Sequence, residues 1–275
     1  MKNLFALLFA ALFQVSAFAQ ETPDTNSYFD IIAQDFSYAA HDGGEVFKRA
    51  VTPTWNKAIT LSGITAGTVL LIQWDEDFRL SAQKGVSKGG ASISKAVKLY
   101  GERNLMLGLS SGMYLTGLLF KNNDIRTTGR LSLEALALAG ITGGGLKIFL
   151  GRSRPKNGEG SRQYNFGELD NGYQSMPSGH TTIAFTFSTV LAEQIDSWWA
   201  RAIFYPLAAA TSYSRVYDDE HWTSDIFLGA AIGFLSGKTI VEINRDRKAQ
   251  EIINSLKDRV QLYPVSGGVG MLVSF

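Results

Sequence analysis

The chain has 275 residues, with 26 basic and 25 acidic side chains, a formal net charge of +1 and 45% hydrophobic residues. A chain of this size and composition folds as one large domain or two small ones. The balanced charge, with no basic block, gives no basis for a nucleic-acid partner. There is no cysteine, which excludes disulfide frameworks, thiolate catalysis and cysteine-ligated metal centres. The mean hydropathy of +0.01 is low for a chain built mostly of membrane spans.

The first twenty residues have the pattern of a secretory signal peptide. Lys2 precedes an apolar run over 4–13, and Ala17-Phe18-Ala19 forms a typical cleavage site. We predict a signal peptide over residues 1–19, export from the cytoplasm, and a mature chain that starts at Gln20. The alternative is an uncleaved membrane anchor, which is less favoured because a span needs about 20 apolar residues.

Apolar stretches separated by turn signals predict an all-α fold. A short helix is expected over 30–47, interrupted by a turn at Asp42-Gly43-Gly44, with His41 solvated beside it. About six core helices follow, and their short links favour an antiparallel bundle with the functional residues at the helix ends. The predicted core helices are 58–74, 105–120, 131–150, 181–195, 202–213 and 226–243. We divide the mature chain into an N-terminal helical segment (20–57), the bundle (58–245) and a C-terminal tail (246–275) that is expected to be extended.

Basic residues interrupt the apolar pattern at the end of the third core helix. Lys147 and Arg154 lie seven positions apart, with Arg152 between them. Gly151 and Pro155 are expected to end the helix and to hold Arg154 in an extended conformation. A basic helix C-terminus alone is commonly a response to the helix dipole. Arg152 is interpreted as a rim residue or a substrate contact, with simple surface exposure as the alternative.

Two further polar clusters each lead into an apolar helix. Pro177-Ser178-Gly179-His180 places a serine at the helix start, where the free N–H groups of the first turn bind anions. Ser214-Arg215 precedes His221, and Asp225 follows four residues later. On a helix this spacing would put the histidine and the carboxylate on one face, so that the carboxylate could accept from the ring. Each cluster alone also fits an ordinary helix cap or a surface ion pair.

Together the three clusters indicate a phosphate site. A fixed charge of about +3 on one lysine and two arginines needs a balancing anion. Arginine binds phosphate in a bidentate manner, lysine adds a point charge, and a serine cap adds neutral donors. Two histidines remain for the reactive roles, since no serine nucleophile elbow is present. The candidate phosphate ligands are Lys147, Arg154, Ser178, Gly179 and Arg215, and the candidate reactive groups are His180, His221 and Asp225.

The clusters resemble the tripartite signature of the type 2 phosphatidic acid phosphatase (PAP2) and vanadium haloperoxidase superfamily. Residues 147–155 match its K-x6-R-P motif, 177–180 its P-S-G-H motif, and 214–225 its S-R-x5-H-x3-D motif. Eleven specified positions match in the family's order with no departure. The resemblance covers residues 131–243, and the first hundred residues and the tail carry no motif.

The resemblance implies a phosphatase that needs no metal and no cofactor. His221 would attack phosphorus to form a phosphohistidine, Asp225 would orient that ring, and His180 would act as general acid and base. The phosphate ligands would stabilise the five-coordinate transition state. Vanadate copies that geometry, so we expect it to inhibit the enzyme.

The resemblance leaves the substrate open. Lipid phosphatases of the family resemble a six-span bundle with the motifs on the outer side, whereas a second group is soluble, periplasmic and acts on small phosphomonoesters. We expect a lipid phosphate or diphosphate ester, such as phosphatidic acid, phosphatidylglycerol phosphate, undecaprenyl diphosphate or a lipid A phosphate, because apolar segments flank the site. The alternatives are a soluble acid phosphatase, a vanadium-dependent haloperoxidase and a non-catalytic membrane protein. No protein partner is indicated.

The expected location and the order of the apolar segments conflict. We expect a periplasmic protein, or an inner-membrane protein whose site faces the periplasm. After signal cleavage, however, a third span over 131–150 would run inward and carry Lys147 and Arg154 to the cytoplasm. The conflict disappears if one segment lies on the membrane surface or within a soluble bundle.

Overall fold

The computed structural model describes residues 27–265 and 268–273. The predicted signal peptide and the predicted start of the mature chain lie outside these residues, so both stay predictions. Within the described residues the chain forms nine α-helices, three short 3-10 helices and one antiparallel pair of strands. The body of the fold is therefore all-α, as the sequence predicts.

The α-helices are α1 (Tyr28–Val51), α2 (Trp55–Ile72), α3 (Asp75–Lys84), α4 (Lys88–Val97), α5 (Arg103–Leu119), α6 (Asn123–Leu150), α7 (Gly179–Ile195), α8 (Trp198–Tyr217) and α9 (Thr223–Arg259). The strands are β1 (Val260–Val265) and β2 (Gly268–Val273). The 3-10 helices are Lys98–Gly101, Pro155–Asn157 and Asn171–Tyr173. Helices α2 and α5 to α9 correspond to the six predicted core helices.

Polar side chains fix where many of these helices begin. A side-chain oxygen just before the helix accepts a hydrogen bond from a first-turn N–H, which has no partner within the helix. The residues that cap α1, α2, α4, α6 and α8 in this way are Ser27, Thr54, Ser87, Asn122 and Ser197.

Helix α7 lies at the centre of the bundle and packs against α6, α8 and α9. Its buried Phe187 and Leu191 join Phe204 of α8 and Met106 of α5 in the main apolar cluster. A second cluster joins Val190 of α7 to buried residues of α6 and α9. Full burial of each such side chain stabilises the fold by about 1.5–3 kcal/mol.

Glycines at every fourth position bring α9 close to α7. A Cβ atom at Gly229, Gly233 or Gly237 would lie 2.8, 2.4 or 2.8 Å from the nearest atom of α7 or its cap residue. Only glycine fits such an approach. The contact lets the Ser178 N–H donate to the carbonyl of Asp225 at 3.0 Å, which joins the helix starts that carry the second and third motifs.

The bundle has two different ends. The motif-bearing ends of α6, α7, α8 and α9 lie together at one end, with α3 and α4 packed beside them. Helix α1 lies at the opposite end, where buried Asp42 pairs with Arg130 of α6 at 3.2 Å and with Arg247 of α9 at 3.4 Å. Asp35 of α1 also lies 3.4 Å from Arg126. These ion pairs hold α1 across the end that is remote from the motifs.

Apolar side chains cover much of the outer surface between the two ends. Two described helices, Asn123–Leu150 and Thr223–Lys257, are long and apolar enough by length and composition to cross a membrane. Exposed apolar surface of this kind is typical of contact with lipid or another protein. Outward-facing residues that are more than half exposed include Ile59, Leu61, Val69, Leu70, Leu115, Ile141 and Ile203.

The prediction of an interrupted N-terminal helix is wrong. Helix α1 runs without a break through Asp42-Gly43-Gly44, because the buried pairing of Asp42 with two arginines overrides the turn preference of the glycines. His41 is therefore helical rather than part of a turn, and its side chain is 49% exposed.

Two other segments also differ from the prediction. Residues 75–101 lie between the first two predicted core helices, where the sequence predicts no helix, and they form α3, α4 and a 3-10 helix. Helix α9 continues to Arg259 instead of ending near residue 243, so the first part of the predicted tail is helical. The rest is extended, as predicted, and forms a hairpin with Val260 opposite Val273.

Candidate active site

The first motif lies where α6 ends. Lys147, in the last turn, donates from Nζ to the carbonyl of Gln174 at 2.6 Å, and its Cε lies 3.7 Å from where a Cβ of Gly179 would be. Gly151 ends the helix in the left-handed conformation with φ of 56°, which glycine adopts without strain. Arg154 then has φ of −75° and ψ of 150°, the extended conformation that a following proline imposes. The predicted helix end and extended arginine are confirmed.

Hydrogen bonds that Arg154 donates to the next loop and turn orient its guanidinium. Its Nε and Nη2 donate to the carbonyl and side-chain oxygen of Asn171, both at 2.8 Å. Its Nη1 donates to Glu220 at 2.6 Å, and Lys156 lies 2.9 Å from the same carboxylate. Burial raises the pKa of Glu220, but the hydrogen bond from Lys156 and the charge of Arg154 outweigh it and hold that pKa below its ordinary value. The guanidinium is thus fixed by an ionised carboxylate.

The second motif forms the start of α7. Ser178 is the fully buried N-cap residue, and its hydroxyl accepts from Thr181 at 3.1 Å rather than capping a backbone N–H. Gly179 and His180 are the first two helical residues, where N–H groups carry partial positive charge. His180 is partly exposed, and a Cβ at Gly101 would lie 2.4 Å from its carbonyl oxygen. The serine thus lies at the helix start, as predicted, and the histidine lies in the first turn because the helix begins two residues earlier than the predicted 181.

The third motif spans the turn between α8 and α9. Arg215, in the last turn of α8, donates from Nη1 to Asp218 at 2.9 Å. Its buried Nε has no hydrogen-bond partner among the described residues. His221 lies two residues before α9 begins, so the expectation that it shares a helix face with Asp225 is wrong.

His221 nevertheless faces Asp225. Its Nδ1 lies 3.7 Å from Asp225 Oδ2, which is longer than a hydrogen bond. That oxygen already accepts from Ser175 Oγ at 2.5 Å and from the Trp222 N–H at 2.9 Å. The carboxylate is therefore held rigidly beside the ring by donors other than the ring.

Burial controls the charge of His221. The side chain is only 3% exposed. Burial lowers the pKa of His221 to about 3, Asp225 opposes this effect, and the charges of Lys147 and Arg154 add to it. The ring is therefore neutral at pH 7. A carboxylate beside Nδ1 favours the tautomer with the proton there, which leaves a lone pair on Nε2.

The structure brings the eight candidate residues to one end of the bundle. The charges of Lys147 and Arg154 act on both His180 and His221, and the charge of Arg215 acts on His180. Three cations and the start of α7 thus surround two histidines. Across residues 27–265 and 268–273, no group of three or more histidine or acidic side chains is arranged to hold a metal ion.

Sequence reasoning misplaced one residue and missed another. Arg152 lies neither at the rim nor on the surface: it is fully buried and binds Asp225 and Asp75, each at 2.7 Å. The sequence around Arg152 contains no pattern that indicates burial of this side chain. Asp75 begins α3, far from the motifs in sequence, and its only signal is an acidic first turn, which the helix dipole alone explains.

Comparison with known proteins agrees with the three motifs. The model of the PAP2 superfamily matches residues 129–249, a range that contains all eleven motif positions. Residues 129–249, which make up less than half of the chain, are therefore similar to the PAP2 superfamily. Residues 27–128, which carry no motif, supply α1 to α5 around this PAP2-like core.

A curated relative of this chain is the lipid A 1-phosphatase of Porphyromonas gingivalis, which is 26% identical over 247 residues. The match covers 86% of this chain and 49% of the relative, so the chain spans about half the length of that protein. A solved transmembrane PAP2-type phosphatidylglycerolphosphate phosphatase from Bacillus subtilis has a TM-score of 0.55 at 17% identity, over 67% of this chain and 96% of that one. LpxE of Aquifex aeolicus has a TM-score of 0.48 at 23% identity, over 61% and 93%.

Proposed function

We propose that this protein is a phosphatase that hydrolyses phosphate monoesters or diphosphate esters through a phosphohistidine on His221. The observation that carries the proposal is a buried and neutral His221 beside a carboxylate and within a group of fixed cations. A neutral imidazole can attack phosphorus, and the cations stabilise an anion whose charge grows in the transition state.

In the first step Nε2 of His221 attacks phosphorus, and the bond from phosphorus to the leaving oxygen breaks. The imidazolium form of His180 donates a proton to that oxygen and becomes neutral, while Asp225 stabilises the positive charge that develops on the attacking ring. The groups that hold the non-bridging oxygens are Lys147, Arg154, Arg215, the Ser178 hydroxyl and the Gly179 N–H.

In the second step the neutral His180 takes a proton from water, whose oxygen attacks phosphorus. The bond between nitrogen and phosphorus breaks, phosphate leaves, and His221 returns to its neutral form. Lysine and arginine supply the charge that a metal ion supplies in other phosphatases. We therefore expect activity without metal and inhibition by vanadate.

A lipid ester is the substrate class that has the most support. The relatives carry the names lipid A 1-phosphatase and phosphatidylglycerolphosphate phosphatase. The bundle has two helices of membrane-spanning length and an outer surface rich in apolar side chains. A bundle in a bilayer, with its motifs at the periplasmic face, would meet a phosphorylated headgroup at that face. No observation favours the soluble, haloperoxidase or non-catalytic alternatives.

Phosphate release from a panel of esters tests the proposal. The protein is purified in detergent with EDTA and given phosphatidic acid, phosphatidylglycerol phosphate, undecaprenyl diphosphate, a lipid A 1-phosphate and p-nitrophenyl phosphate. We expect metal-free, vanadate-sensitive release that is faster from at least one lipid than from the soluble ester. Complete loss of release in EDTA would contradict the mechanism.

Substitution of two histidines tests the nucleophile. His221→Ala should lower kcat by at least about 1000-fold and abolish the acid-labile phosphoenzyme. His41→Ala is the matched control, since His41 is 49% exposed and lies on α1 at the remote end; it should change kcat by less than about 2-fold. An active His221→Ala protein would overturn the proposal.

A further inference from the structure

A buried ion network connects α3 to the third motif. The side chains of Asp75, Arg152 and Asp225 have no exposed surface. Arg152 donates from Nη1 to Asp225 Oδ1 and from Nη2 to Asp75 Oδ2, each at 2.7 Å. Neither Asp75 nor Arg152 occupies a specified motif position, and neither belongs to the candidate site residues.

The hydrogen bonds of the network are complete. Arg152 also donates from Nε and Nη2 to the carbonyl of Ser161, and from Nη1 to Ser224 Oγ at 2.7 Å. All five N–H donors of the guanidinium are therefore used. Asp75 accepts from the Ser224 N–H at 2.9 Å and from its hydroxyl at 2.6 Å. A buried network without an unsatisfied member holds its groups rigidly.

The charge balance of the network favours a role beyond packing. An arginine paired with one carboxylate would form a neutral buried pair. This arginine pairs with two carboxylates, so the network has a net charge of −1. His221 lies on the other side of Asp225, with Nδ1 3.7 Å from Oδ2. Without Asp75, the charge of Arg152 would cancel most of the field of Asp225 at that ring.

We infer that Asp75 and Arg152 are positioning residues for the proposed phosphohistidine reaction. Arg152 fixes the orientation of Asp225, and Asp75 balances Arg152 so that the charge of Asp225 remains available to the His221 ring as that ring becomes positive. The inference rests on the proposed function, because it assigns these residues a part in the same reaction.

Asp75→Asn tests the inference, since it keeps the shape of the side chain and removes its charge. We expect kcat to fall about 10–100-fold, as for other groups that orient a reactive side chain. KM and the Kd of vanadate should change by less than about 3-fold, because the phosphate ligands are untouched. Unchanged kcat in a folded variant would overturn the inference.

Asp219→Asn is the matched control. Asp219 also joins α3 to the turn before α9, through Arg79 at 2.6 Å, but among the described residues it makes no hydrogen bond or ion pair with Asp225. Its φ of 59° is one that asparagine tolerates. We expect kcat within about 3-fold of the wild type. Equal losses in the two variants would show a general structural effect and overturn the inference.

Two further measurements cover the cases in which Asp75→Asn does not fold or the wild type is inactive. If Asp75→Asn does not fold, Arg152→Lys carries the same expectation, because lysine cannot bridge two carboxylates as a guanidinium does. If the wild type cleaves none of the esters, the proposed function fails. The network is then tested by ¹⁵N NMR of histidine-labelled protein, where Asp75→Asn should lower the share of His221 with its proton on Nδ1 and Asp219→Asn should not. An unchanged tautomer ratio would overturn the inference.

Discussion

Burial of His221 couples the proposed chemistry to the stability of the protein. An unfolded histidine titrates near pH 6.5, whereas burial lowers the pKa of His221 in the folded chain to about 3. Between about pH 6.5 and pH 3 the unfolded state therefore binds up to one more proton than the folded state. The free energy of unfolding therefore has its full value, as far as this ring is concerned, above about pH 6.5. It decreases as the pH falls toward 3, by at most about 1.4 kcal/mol per pH unit.

The pH dependence of unfolding in His221→Gln tests this linkage. Removal of the titrating ring should flatten the fall in unfolding temperature between pH 6.5 and 5, a fall that corresponds to about 2 kcal/mol or less. Thermal unfolding in detergent at several pH values measures it. His41→Gln, at a half-exposed position, should keep the wild-type slope. Equal slopes in the wild type and His221→Gln would contradict the buried neutral ring.

Residue spacing predicts which groups meet in the site but not how they are held. The eight candidate residues meet because each motif lies at one end of a core helix. Arg152 and Asp75 could not be assigned in this way, since their role depends on burial and on a contact between segments far apart in sequence. The 3.7 Å gap from His221 to Asp225 also results from donors elsewhere in the fold.

At the scale of the helices, the contact between α7 and α9 sets the geometry of the site. Gly233→Ala would place a Cβ 2.4 Å from the carbonyl of Thr182, so α9 would have to move. We expect a loss of about 1–3 kcal/mol in unfolding free energy, and a lower kcat because Asp225 moves with the helix. Thermal unfolding and phosphate release measure the two effects.

Gly140→Ala in α6 provides the control for that substitution. Nothing lies within 4 Å of a Cβ there, so alanine should be neutral or stabilise the helix by up to about 1 kcal/mol. If Gly233→Ala unfolds at the same temperature as Gly140→Ala, the close contact of α7 with α9 does not exist in solution.

The apolar pattern predicts the core helices because each of them has an apolar face that is buried on folding. It does not predict α3 and α4, whose sequences are polar and whose positions depend on tertiary contacts. Arg79 of α3 binds Asp219 at 2.6 Å, and Ser94 of α4 donates to Asp218 at 2.7 Å. Both contacts join the turn before α9, so the missed helices pack against the third motif.

At the scale of the whole molecule, the order of the helices defines the topology conflict in structural terms. The motifs lie at one end of six antiparallel helices, and α1 is bound to the other end by Asp42, Arg130 and Arg247. If the bundle spans a bilayer, α1 and the site face opposite sides. A periplasmic site then places α1 in the cytoplasm, whereas export behind the predicted signal peptide would place α1 in the periplasm.

Labelling of single cysteines tests this arrangement, and the natural chain has no cysteine to interfere. Lys48 on α1 has a side chain that is 71% exposed, and Glu168 is exposed in the loop that follows the first motif. In intact spheroplasts a membrane-impermeant maleimide should label Glu168→Cys and not Lys48→Cys, and permeabilisation should allow both to react. Labelling of both before permeabilisation would contradict the spanning bundle and favour a soluble exported protein. Labelling of Lys48→Cys alone would place the site at the cytoplasmic face, where the proposed periplasmic substrates could not reach it.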